Sequence, residues 1–184
     1  LRGEVHDPTA RRMRGVAGHA GLFGTADDLA RYARMLLEGG ALGSARILSP
    51  LSIVKMTSPA TPPDMASIRG LGWDIDSSYS SNRGELLPIG SFGHTGFTGT
   101  SIWIDPLTET YVILLTNRVH PDGRGDAGAL RAQIATLVGA ALRRLPDSAR
   151  LREAQWTGGQ FQRAPARRAR STSDTTAGLT LSGI

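Results

Sequence analysis

The chain has 184 residues, 21 of them basic and 16 acidic, for a formal net charge of +5, and it contains no cysteine. Lys55 is the only lysine, and every other basic residue is arginine. These counts exclude a disulfide framework, a thiolate metal site and a cysteine nucleophile; they also exclude a Gly-Lys-Ser/Thr phosphate loop, because Met56 follows Lys55.

Residues 1–24 are rich in glycine and poor in periodic apolar positions, so Gly15 to Gly24 is expected as a close-packed loop. A helix is predicted from Thr25. Thr25-Ala-Asp-Asp28 has the form of a capping box, and Leu29, Tyr32, Ala33, Leu36 and Leu37 make one apolar stripe. Gly39-Gly40 ends it. Ser49-Pro50 opens a shorter helix to about Met56, with proline in its first turn. The proline-rich stretch Thr57 to Asp64 reads as loop, Gly72 to Asp76 as a strand, and Ser77 to Arg83 as a polar turn.

From Phe92 the pattern turns to strands. Thr100 to Asp105 and Thr110 to Thr116, joined by Pro106-Leu-Thr-Glu109, predict an antiparallel hairpin. The second run is apolar on both sides, which predicts a central strand with both faces covered. A last helix is expected over Ala127 to Leu145, with Leu130, Ile134, Leu137, Val138, Ala141 and Leu142 on a broad apolar face.

After Pro146 periodicity is lost, and 147–184 reads as a low-complexity linker or tail, with Leu179 to Ile184 as the start of a fused following domain. Residues 1–146 carry a net +2 and residues 147–184 a net +3, so basic character is concentrated in the tail. No apolar run approaches the roughly 20 residues of a membrane span. The chain starts Leu-Arg-Gly-Glu, without an initiator Met or a signal segment, and so is expected to be part of a longer protein.

The strongest chemical signal is Gly93-His94-Thr95-Gly96-Phe97-Thr98-Gly99-Thr100, directly before the hairpin. Glycines around a polar segment at a strand edge admit a ligand to the main chain and leave N–H groups for an oxyanion. On spacing alone, a glycine-rich turn with a surface histidine fits equally well.

His94-Thr95-Gly96 resembles the third motif of serine β-lactamases and penicillin-binding proteins, which is Lys-Thr-Gly or, in class C-like esterases and peptidases, His-Thr-Gly. Gly18 to Gly40, Ile47-Leu-Ser-Pro50, Gly70-Leu-Gly-Trp73 and Leu114-Leu-Thr-Asn-Arg118 resemble other family segments in the family order. The resemblance implies an α/β (α+β type) fold of the β-lactamase/transpeptidase kind, an antiparallel sheet flanked by helices. It implies that 1–146 is the C-terminal portion of such a domain, with the nucleophilic serine, its lysine and the tyrosine motif upstream of Leu1. It assigns His94 to polarising the site or holding a substrate carboxylate, the Phe97 N–H to the oxyanion, and Thr95 and Gly96 to substrate contact. Asn117 either faces the site or ends its strand. The implied substrates are peptidoglycan peptides, β-lactams or small esters, with no cofactor, and the implied location is periplasmic or extracellular.

Two look-alikes are set aside. Ser52-Ile-Val-Lys55 and Ser80-Ser-Asn82 spell the first two motifs, but Ser52 lies in the Leu-Ser-Pro segment and meets Lys55 only as an i, i+3 surface neighbour. His6-Asp7 either pairs near the site or makes a structural hydrogen bond; His19 is expected to pack a loop and His120 to be solvated. The four histidines lack the spacing of a zinc site, so no metal is expected. A catalytically silent domain that binds cell-wall material is the alternative function. Nucleic-acid binding through the arginine tail ranks below both, because the tail interleaves few aromatics.

Overall fold

The computed structural model describes residues 1–143; the expected linker over 147–184 lies outside the described residues. The first element is a short helix not predicted from the sequence, ahead of the loop expected over Gly15 to Gly24, which forms neither helix nor strand. Asp7 accepts the Ala10 N–H at 2.7 Å and Pro8 takes the first helical position, giving a short helix α1 (Pro8–Arg12). A cap and a pre-set φ are enough for one turn without an apolar stripe. Helix α2 (Ala26–Leu37) carries the predicted capping box. The Thr25 hydroxyl accepts the Asp28 N–H at 3.1 Å, while the Asp28 carboxylate accepts the Thr25 N–H at 3.4 Å.

The chain leaves α2 through Gly39 and Gly40, both at positive φ; a Cβ on Gly40 would strike the Leu48 carbonyl. A two-stranded ribbon follows, β1 (Ala41–Leu42) against β2 (Ala45–Arg46), too short to show alternation in sequence. Ser49 then caps α3 (Pro50–Thr57) by accepting the Ser52 N–H at 3.1 Å.

Five strands, β3 (Ile68–Arg69), β4 (Asp74–Asp76), β5 (Phe92–Thr95), β6 (Ser101–Asp105) and β7 (Thr110–Leu114), form one antiparallel sheet in chain order. A 3-10 turn at Ser80–Arg83 lies between β4 and β5. The β6–β7 hairpin is as predicted, and the buried Asp105 carboxylate holds its turn by accepting the N–H groups of Leu107 and Thr108 at 3.0 and 3.2 Å. The predicted covering of both faces holds, but the predicted central position is not seen. Among the described residues β7 is the edge of the sheet, and β6 is the more deeply buried strand. The apolar run of β7 reflects these two covered faces. Tyr111 packs toward the core on one side of the sheet, and Val112 lies in the core on the other.

On the first side, Ala33 and Leu36 of α2 and Ile53 of α3 meet Trp73, Ile75, Phe92 and Ile104. On the second, Leu87, Trp103 and Val112 meet Ala135 of α4 (Gly128–Ala141). Each large side chain so buried contributes about 1.5–3 kcal/mol. The face of α4 also differs from expectation. Arg131 and Ala135 point inward and are buried, whereas Leu130 and Leu137 are 45% and 68% exposed. A helix apolar nearly all round has a weak directional signal. Close approach to the 3-10 turn decides the matter, since a Cβ on Gly84 would collide with the Thr136 amide and admits no bulky side chain between them. None of the described helices is long and apolar enough to cross a membrane.

Candidate active site

The sequence-predicted residues gather where β5 ends. Phe92 and Ile104 are Cα partners, as are His94 and Ile102, so His94 projects from the same face as the α2–α3 core but beyond it, into solvent. Gly93 stands beside Trp103, and a Cβ there would collide with the Ile102 carbonyl oxygen and with the edge of the indole ring. That glycine lets the Trp103 ring lie across β5 and fixes the strand under the histidine.

Both nitrogens of His94 are occupied. Nε2 lies 3.1 Å from the Arg69 guanidinium, and Nδ1 lies 2.9 Å from the Thr95 carbonyl oxygen. Arginine only donates and a carbonyl only accepts. The ring is therefore the Nδ1–H tautomer, with the Nε2 lone pair turned to Arg69. Sequence reasoning missed Arg69. Its side chain, on the edge strand β3, forms no ion pair among the described residues, so its charge is left available at the wall. Its neighbour motif Gly70-Leu-Gly-Trp73 was the only pointer.

Beyond Thr95 the chain makes a tight turn. The Gly96 N–H donates to Thr100 O at 2.7 Å and the Gly99 N–H to Gly96 O at 3.1 Å, while Gly99 has φ +122°. A side chain on Gly96 would collide with the Thr100 hydroxyl. Two arginines, also missed in the sequence, tie this turn to the rest of the fold. Arg118 donates from Nε to Phe97 O at 2.7 Å and from its backbone N–H to Thr98 O at 2.8 Å. Arg131 donates from Nη2 to Gly96 O and Thr100 O at 2.9 and 3.0 Å, and from Nε to Gly99 O at 3.3 Å. Burial pulls the Arg131 guanidinium below its ordinary value; nearby Asp126 opposes this, and Arg118 adds to it. Arg131 still carries its charge at neutral pH.

The Phe97 N–H donates no hydrogen bond among the described residues. Its ring, 70% exposed, stacks on His6 at 5.8 Å and receives the Arg118 guanidinium at 4.5 Å. The result is an outward N–H, a histidine and an unpaired guanidinium at one sheet end. Such a set can stabilise negative charge developing on a carbonyl oxygen and hold an anionic group beside it.

The other candidates lie elsewhere or act locally. The Asn117 side-chain Oδ1 accepts the N–H groups of Val119 and His120 at 3.0 and 3.1 Å, which closes the turn after β7. Asp7 pairs with His19 at 2.9 Å, so of the His6-Asp7 segment only His6 reaches the site. His120 is exposed. Ser52 bonds Ser49 at 2.9 Å, and Lys55 on the same helix makes no hydrogen bond among the described residues. Ser80 accepts the Ser77 N–H at 2.8 Å, and Asn82 is buried with its amide donating to Tyr79 O at 2.7 Å. Among the described residues no three His, Asp or Glu side chains stand close enough together to hold a metal.

Comparison with known proteins decides what this arrangement belongs to. The beta-lactamase family model matches residues 2–136, well over half of the chain. The chain belongs to the beta-lactamase family. Proteins named "Putative D-alanyl-D-alanine carboxypeptidase" from Salmonella gallinarum and Salmonella newport are each 37% identical to it over 123 residues, 65% of this chain and 28% of theirs. A solved beta-lactamase from Mycobacterium bovis superposes with a TM-score of 0.51 and 27% identity, over 66% of this chain and 45% of that one. The fold is thus the beta-lactamase fold, helices against an antiparallel sheet, and the chain spans under a third of the length of these curated relatives.

Proposed function

We propose that this chain supplies one wall of a serine acyl-transfer site of the β-lactamase/penicillin-binding type, with the nucleophile on residues outside it. The observation that carries the reading is the undonated N–H of Phe97, immediately after His94-Thr95-Gly96 at an open strand end. When a serine hydroxyl adds to an amide or ester carbonyl, charge grows on the carbonyl oxygen. A fixed N–H 2.7–3.1 Å from that oxygen is worth about 3 kcal/mol in the transition state. The Thr95 hydroxyl contacts the substrate, and His94, with Nε2 turned to Arg69, gives the wall its polarity. Peptides ending in D-alanine, β-lactams and small esters all present the required carbonyl, and the relatives' printed names support the first of these. A substrate derived from peptidoglycan places the working protein in the periplasm or outside the cell.

Labelling the full-length protein with a fluorescent β-lactam or an alkyl phosphonate, followed by mapping of the modified peptide, tests this reading. The label is expected on a serine outside residues 1–184. Label on Ser52 or Ser80 overturns the assignment. No label, with bound peptidoglycan fragments, establishes the silent binding domain in its place.

A further inference from the structure

We propose that Arg131 of α4 is a positioning residue that aims and polarises the Phe97 N–H. The inference rests on the acyl-transfer reading of the site. Gly96 C=O and Phe97 N–H belong to one peptide unit, which is planar and trans. Its carbonyl and its N–H therefore point in opposite directions. Arg131 holds Gly96 O from the α4 side at 2.9 Å, and this turns the Phe97 N–H away from α4, toward the open end of β5.

The same guanidinium reaches Thr100 O at 3.0 Å and Gly99 O at 3.3 Å, so both legs of the turn are held by one rigid group. Arg118 holds the next carbonyl, Phe97 O, and Thr116 donates to Gly99 O at 2.6 Å. Every carbonyl from Gly96 to Thr100 thus accepts a hydrogen bond, while the Phe97 N–H stays free for a ligand. A charge-assisted bond to a carbonyl strengthens the N–H donor of that peptide. Arg131 makes no ion pair among the described residues, and its further contact is Asn82 Oδ1 at 3.5 Å. Its charge is therefore spent on the carbonyls of this turn. A bond made only to anchor α4 would not require a cation.

The test uses the full-length protein with Arg131→Lys, which keeps the charge and loses the fork, and Arg131→Met, which loses both. Folding is checked by circular dichroism, and the lysine variant serves if the methionine variant does not fold. On an oxygen ester, kcat is expected to fall about 10- to 100-fold with KM little changed. The matching thionoester is expected to lose much less, because sulfur is a poor acceptor, so the oxygen-over-sulfur preference shrinks. Equal losses on both esters would overturn the proposal and leave Arg131 as a structural staple. The Phe97 amide proton, followed by NMR, is expected to move upfield in both variants; an unmoved resonance overturns the proposal whatever the activity. If the wild-type protein acylates no probe, the acyl-transfer reading fails separately, and the Phe97 resonance still reports whether Arg131 governs that N–H.

Discussion

At the residue scale the site is a matter of who donates and who accepts. His94 has one tautomer because Arg69 has no acceptor and the Thr95 carbonyl has no donor. Replacing Arg69 by alanine is expected to free Nε2 and mix the tautomers, seen in the imidazole nitrogen chemical shifts of His94. Unchanged shifts would mean that the Thr95 carbonyl alone sets the ring. Asp7 offers a pH test. The Ala10 N–H, and after it the His19 side chain, hold its carboxyl below its ordinary 3.8. A depressed carboxyl contributes stability that is fully present above its unfolded value and is lost as pH falls through the lowered folded value. The stability gap between wild type and Asp7→Asn is therefore expected to be constant above pH 3.8 and to close below it, measured by urea denaturation in acid.

At the element scale, local chemistry predicts well. The Thr25 box and the Ser49-Pro50 start were readable because a cap needs only residues three positions apart. Thr25→Ala is expected to cost about 1 kcal/mol, measured from the denaturation midpoint. The hairpin was readable for the same reason, since Asp105 satisfies its own turn. What failed was the central position expected for β7, which is not seen among the described strands. Apolar content reports how many faces are covered, and β7 is covered on both while standing at the edge. Gly93 marks the other limit, because its requirement comes from a carbonyl and a tryptophan ring on the neighbouring strand. Gly93→Ala is expected to destabilise by about 1–3 kcal/mol through overpacking against Trp103. A neutral result would show that the ring can leave its place over β5.

At the scale of the whole molecule, the sheet separates two cores and the site sits where both layers reach its end. His94 and Arg69 come from the sheet, Arg118 from the segment after β7, and Arg131 from the helix on the opposite face to the α2–α3 layer. Packing under α4 is thereby coupled to the turn. Ala135→Leu, at a position 1% exposed, is expected to cost about 1–3 kcal/mol and to shift the Phe97 amide resonance along with the melting temperature. A stability loss with no movement of that resonance would uncouple the two. The sequence alone determined the starts of α2 and α3 and the hairpin, because each depends on neighbours a few residues away. It also excluded cysteine chemistry and any lysine but Lys55 within the chain, and the structure places Lys55 exposed on α3. Only the tertiary structure singled out Arg69, Arg118 and Arg131 from the other arginines. A turn's carbonyls are satisfied by groups 21 to 35 residues away, and no local pattern records which side chain will arrive.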